Sequence, residues 1–187
     1  MEEEIRKALE VLRAGGSILY PTDTIWGIGC DATNEKAVEK VLAVKQRHES
    51  KSLIILVSDN GMLNRFVKNI PAVAWDLMDV ADSPLTIIYD GGRGLAKNIF
   101  ADDGSIGVRK TNDEFCQRLI HKFGKPIVST SANVSSEPAP IHFSDINEKI
   151  KLAVDYVVNW KQNETGNSKP SSIIKLKENG EIKIIRK

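Results

Sequence analysis

Short apolar runs rich in β-branched residues, separated by stripes of helical period, restrict this chain to an α/β architecture more firmly than any single residue does. Ser17–Tyr20, Leu53–Val57, Leu85–Tyr89, Ser105–Arg109, Ile127–Val128 and Asp155–Val158 are too short for helices and read as strands. Between them, Ile5, Ala8, Leu9 and Leu12 recur at helical spacing until Gly15-Gly16, which predicts an amphipathic helix from about Glu3 to Ala14. Asn34 is placed to cap a second stripe of Ala37, Val38, Val41, Leu42 and Val44 that ends near Lys45. Pro71–Ala81 and Phe115–Phe123 read as further helices, the latter opened by a capping box spelled Thr111-Asn112-Asp113-Glu114. Ile174 and Leu176 before Asn179-Gly180, with Ile182 and Ile184 after it, predict a two-residue hairpin.

Composition removes several function classes. The chain has 187 residues and 41% hydrophobic content, which suits one domain with a buried core, while a net charge of +1 gives no global field for nucleic acid. Cys30 and Cys116 form no CxxC and histidines number 3, so neither a disulfide framework nor a zinc site is expected. The acidic start Met1-Glu2-Glu3-Glu4 and the lack of a long apolar stretch predict a cytoplasmic protein without a membrane span.

Three apolar segments empty into polar islands: Pro21-Thr22-Asp23-Thr24, Lys45-Gln46-Arg47 and Ser129-Thr130-Ser131-Ala132-Asn133. Strand ends are where open α/β sheets collect ligands. If the chain stays extended, Ser129, Ser131 and Asn133 share one face and can hold a phosphate beside a polar substrate. The same residues equally suit a turn that caps the next element. Lys45 and Arg47 either sit at a solvated helix C-terminus or aim together into a cleft from an extended exit. Pro-Thr-Asp-Thr is turn-forming, and Thr22 and Thr24 there are placed to meet a ligand. Arg109, between a strand and a helix start, carries the fork that suits a carboxylate or phosphate. With only His48, His121 and His142 as histidine bases, this inventory binds and positions anions better than it activates a serine nucleophile. The polar stretch Trp160–Pro170 is expected to be a loop with the character of a lid.

Five segments in order and spacing resemble the YrdC-like threonylcarbamoyl-AMP synthase family in its single-domain form. They are Pro-Thr-Asp-Thr-Ile-Trp-Gly-Ile-Gly from Pro21, the helix ending in Lys45-Gln46-Arg47, Ser-Ile-Gly-Val-Arg from Ser105, Ser-Thr-Ser-Ala-Asn-Val-Ser from Ser129 and Pro-Ser-Ser-Ile-Ile from Pro170. The resemblance covers essentially the whole chain. It implies that L-threonine, bicarbonate and ATP give threonylcarbamoyl-adenylate and pyrophosphate, the adenylate then being used by a separate transferase to modify tRNA. By position it implies Thr22, Arg109, Ser129 and Ser171 as the threonine set, and Lys45, Arg47, Ser131 and Asn133 as the catalytic set for ATP and carbamate. Ser105 and Arg186 join the nucleotide side. Magnesium would arrive with ATP rather than sit in a protein cage, and weak direct contact with tRNA is allowed for.

Departures from the family pattern fall mainly in loops. Trp26 stands for a tyrosine, Ser52-Leu53 for Pro-Leu, Asp82-Ser83-Pro84-Leu85-Thr86 for Pro-Gly-Pro-x-Thr, Lys110-Thr111 for a pair such as Met-Pro, and Val134-Ser135-Ser136 for Val-Ser-Gly. The expected fold is one YrdC-like α/β domain over residues 1–187, a twisted, mixed, open sheet flanked by helices with a basic concave cleft. The expected function is the synthase. The alternatives are an RNA-binding module using the same cleft and a catalytically distinct paralogue; 6% aromatic content speaks against the former.

Overall fold

The structure is a computed structural model that describes residues 1–46, 53–135, 137–164 and 169–187. Its strands are β1 (Ile18–Tyr20), β2 (Gly27–Gly29), β3 (Ile54–Val57), β4 (Leu85–Tyr89), β5 (Ile106–Lys110), β6 (Ile127–Ser131), β7 (Tyr156–Val157), β8 (Ser172–Leu176) and β9 (Ile182–Arg186). Its helices are α1 (Glu2–Arg13), α2 (Glu35–Val44), α3 (Asn60–Phe66), α4 (Val73–Val80), α5 (Glu114–Phe123) and α6 (Glu148–Ala153). The strands form one mixed sheet in the order β7-β1-β2-β6-β3-β5-β4-β8-β9. The pairs β1–β7, β3–β5 and β4–β8 are parallel and the rest antiparallel. Helices α1, α3 and α5 pack on β1, β3 and β5, which is the mixed, helix-flanked sheet expected.

Local chemistry explains most element ends. Ile5, Ala8, Leu9 and Leu12 are the buried stripe of α1, and the chain leaves that helix through Gly15 at φ +76°. Asn34 caps α2 by accepting from the Ala37 amide at 3.2 Å. Gly124 ends α5 in the left-handed region, as its position after Phe123 requires.

Two local expectations are corrected. The cap of α5 is Asp113, whose Oδ1 accepts from the Cys116 amide at 2.9 Å; Thr111 lies too far upstream and its hydroxyl instead accepts from the Asp113 amide at 3.2 Å. The hairpin is not a two-residue turn, because Leu176 pairs with Ile182 and leaves a longer connection. There the Gly180 amide donates to the Lys177 carbonyl at 2.9 Å, Gly180 sits at φ +88°, and the Asn179 side chain accepts from the Glu181 amide at 3.0 Å.

Strand β2, which lacks a β-branched pattern, is held by fit. A Cβ on Gly29 would meet the Val128 carbonyl oxygen at 2.5 Å and the Tyr20 ring at 2.7 Å, so only glycine allows β1, β2 and β6 to approach this closely.

Candidate active site

The cleft arises where the islands, far apart in sequence, reach the central strands. Register places Ile54 opposite both Gly107 and Ser129, and Gly27 opposite Ser131, so these residues share one face of the sheet. A cavity of about 180 Å³ opens there, lined by Thr24, Trp26, Arg109, Ser129, Ser131 and Ser171 among others, with Arg186 at its edge. A second, more apolar hollow shares Ile54 with it and runs over Ile88, Gly107, Ile173 and Ile185, with Ser105 and Thr86 in its wall.

Arg109 is 4% exposed. One of its terminal nitrogens stands 3.0 Å from Asp23 Oδ1, yet among the described residues neither Asp23 Oδ1 nor Arg109 Nε has a hydrogen-bond partner. The contact is therefore a Coulombic pair that leaves the fork's directional capacity unspent. Arg186 donates from Nε to the Ser171 carbonyl at 2.9 Å. Burial, and then the neighbouring Arg109 charge, lower the Arg186 guanidinium below its ordinary value. Two cations close enough to disfavour one another form a site that an anion relieves.

Lys45 is also buried, at 3% exposure, so of the two placements open to it from the sequence the solvated one does not hold. Helix α2 ends at Lys45, which lies four residues after the buried Val41 and seven after the buried Val38 and so continues their inward face, and Gln46 then leaves the helix in the left-handed region at φ +50°. Its Nζ donates to the Ser131 carbonyl at 2.5 Å and to Asn133 Oδ1 at 3.0 Å, and the Lys45 carbonyl accepts from the Ser135 amide at 3.0 Å. The ammonium thus fastens the end of α2 to the Ser-Thr-Ser-Ala-Asn segment. That segment is extended only through Ser131. Asn133 turns back, its amide donating to the Ser131 carbonyl at 2.9 Å and its Nδ2 to the Glu137 carbonyl at 2.6 Å. Ser129 and Ser131 share the cleft face; Asn133 serves the turn that follows.

The remaining candidates divide. Thr22 is spent inside its turn, donating to the Ile25 carbonyl at 2.8 Å and accepting from the Thr24 amide at 3.1 Å, so Thr24 rather than Thr22 lines the cavity. Ser171 meets the buried Thr86 hydroxyl at 2.8 Å, a partner that sequence reasoning missed, although Thr86 belongs to a family segment. Ser105 lies in the second hollow, its hydroxyl donating to Asp103 Oδ1 at 2.6 Å. Arg47 and Ser52 lie outside the described residues, as does part of the Trp160–Pro170 stretch. Trp26 walls the cavity and packs on Phe143 with ring centroids 4.7 Å apart.

The cleft on this mixed α/β sheet is thus lined by guanidinium and hydroxyl groups, with the Lys45 ammonium bonded to the adjoining Ser131–Asn133 segment. The Sua5/YciO/YrdC family model, described as "telomere recombination", matches residues 10–187, and the chain belongs to that family. It is 33% identical over 175 residues to the threonylcarbamoyl-AMP synthase of Pseudoalteromonas translucida, covering 92% of each chain. It is 34% identical over 171 residues to the same-named protein of Hahella chejuensis, covering 90% of this chain and 91% of the other. Among solved structures, P. abyssi Sua5 complexed with L-threonine superposes with a TM-score of 0.83 at 26% identity over 94% of this chain, which spans only 52% of that longer protein. E. coli YciO shares the fold with a TM-score of 0.85 at 22% identity, covering 100% of this chain and 90% of that one.

Proposed function

We propose that the protein condenses L-threonine, bicarbonate and ATP into threonylcarbamoyl-AMP and pyrophosphate. The observation that carries this reading is the buried Arg109, whose fork reaches the cleft with Nε unpartnered and with hydroxyl groups and Arg186 around it. A carboxylate is the ligand that a planar guanidinium meets in bidentate fashion. Threonine is thus held by Arg109, with Ser129, Thr24 and the Ser171 corner around its side chain, while Thr22 shapes the turn.

The threonine amine adds to carbon dioxide derived from bicarbonate, and the resulting carbamate oxygen attacks the α-phosphorus of ATP with pyrophosphate leaving. Such a transfer needs positioning and charge stabilisation more than acid or base work. Lys45, with Arg47, Ser131 and Asn133, supplies this on the nucleotide side. Arg186 neighbours the phosphates, and the apolar hollow walled by Ser105 accepts the flat, weakly polar base. ATP enters as its magnesium complex. The whole of residues 1–187 acts as one cytoplasmic domain that hands its adenylate to a threonylcarbamoyl transferase, with at most weak contact to tRNA.

The substrate series tests the reading. Replacing threonine by serine removes one methyl, worth about 1–3 kcal/mol, whereas glycine also leaves buried hydroxyls without their partner. Turnover is therefore expected to fall modestly with serine and heavily with glycine. Equal rates for the three amino acids would show that these hydroxyls do not read the side chain.

A further inference from the structure

Asp23 lies where three parts of the site meet. Its Oδ1 faces Arg109 at 3.0 Å without a hydrogen bond. Its Oδ2 accepts from Thr111 Oγ1 at 3.1 Å and from the Asn112 amide at 3.3 Å. Thr111 in turn accepts from the amide of Asp113, the residue that caps α5. One carboxylate thereby joins the turn after β1, the guanidinium on β5 and the approach to α5.

We propose that Asp23 is a positioning residue: it aims the Arg109 fork at the carboxylate of the amino-acid substrate while leaving the fork's hydrogen bonds for that ligand. This rests on the function proposed above. Two effects oppose each other at this place. The Asp23 charge repels an incoming carboxylate, but it is also the counter-charge of an arginine that is 4% exposed and lines the same cavity as Arg186. A buried guanidinium stripped of its counter-charge is costly, and it relieves that cost by re-aiming. Orientation wins over repulsion because Asp23 is itself anchored through two hydrogen bonds on its other oxygen, so its direction is fixed before ligand arrives. A carboxylate on a free side chain would instead swing away from the incoming carboxylate and leave the guanidinium unaimed.

The test compares steady-state pyrophosphate release and thermal unfolding in the unaltered protein, Asp23→Asn and Asp23→Glu. Asp23→Asn is expected to raise the threonine KM about tenfold while the ATP KM stays within about twofold, and Asp23→Glu, which keeps the charge, recovers part of the loss. In an Arg109→Lys background, Asp23→Asn should add less than about twofold, since both act on one contact. An unchanged or lowered threonine KM, equal rises in both KM values, or full additivity would overturn the proposal. If Asp23→Asn does not fold, Thr111→Val replaces it: this removes the shorter of the two hydrogen bonds that anchor Asp23 Oδ2 and keeps both charges, so a selective rise in threonine KM supports the role and an unaltered one overturns it. Absence of threonine-dependent turnover in the unaltered protein overturns the functional reading and this role together, whereas normal turnover with an unshifted variant overturns the positioning role alone.

Discussion

Arg109 and Lys45 are both buried cations, yet their environments assign them different work. Arg109 holds unspent hydrogen-bonding capacity beside a cleft, whereas Lys45 already donates to Ser131 and Asn133. Replacing Arg109 by lysine keeps the charge and loses the bidentate fork, so threonine binding should weaken about tenfold, on the order of 1.4 kcal/mol, with much less change for a non-hydrolysable ATP analogue. Isothermal titration with each ligand separates the two, and a loss confined to the nucleotide would exchange the roles of the two ends of the cleft. Lys45→Ala should stop adenylate formation and also destabilise the protein by about 2 kcal/mol, because two part-buried acceptors lose a charged donor that is itself buried. Denaturant unfolding beside the activity assay checks both halves. The type and order of these residues were legible in the sequence, but their burial was not. A Lys-x-Arg at a helix exit suits a solvated position as well as a cleft, and the choice depends on contacts of Lys45 with Ser131 and Asn133 that lie far away in sequence.

Elements with a strong stripe were the legible ones. Helices α1, α2 and α5 each combine periodic apolar residues with a polar cap or glycine stop, and they form close to where those signals put them. Strand β2 was missed because Gly-Ile-Gly has no propensity to declare it; its existence is a matter of approach distance to β1 and β6. Helices α3 and α6 were missed because 7 and 6 residues are too few to show a period. Gly29→Ala should cost about 1–3 kcal/mol or more, since the new methyl group meets backbone rather than a flexible side chain. A denaturation midpoint equal to that of the unaltered protein would contradict this fit. The junction of α1 with β7 is equally specific. Glu4, one of the three acids in the first turn of α1, is buried and accepts from Tyr156 Oη and the Asn159 amide, each at 2.6 Å. Burial raises its pKa, but these bonds and Lys7 outweigh that and hold the carboxyl below its usual range. A depressed folded pKa contributes stability above the unfolded value, which is lost as pH falls through the folded one. Glu4→Gln should therefore lower stability by about 1.5 kcal/mol at neutral pH, and the gap should narrow below about pH 4. Urea unfolding of both proteins across that range checks it.

At the scale of the whole molecule, the cleft is a product of strand order. Ser129 on β6, Ile54 on β3 and Arg109 on β5 are neighbours because β6, β3 and β5 are adjacent in the sheet, although their sequence order differs. Alternating stripes and short strands made the α/β class legible, and the order of five polar motifs made the family legible. Neither gave the order of the strands, which depends on pairings between distant segments. The same order brings Thr86 and Arg186 to Ser171, so the C-terminal hairpin completes one wall of the site. The most direct test of this account is pyrophosphate release by the purified protein in carbon dioxide-depleted buffer, with L-threonine, bicarbonate and ATP supplied together and then each omitted in turn. Release that requires all three, with threonylcarbamoyl-AMP formed in equal amount, is the predicted result. Pyrophosphate released at the same rate without threonine or without bicarbonate would contradict it.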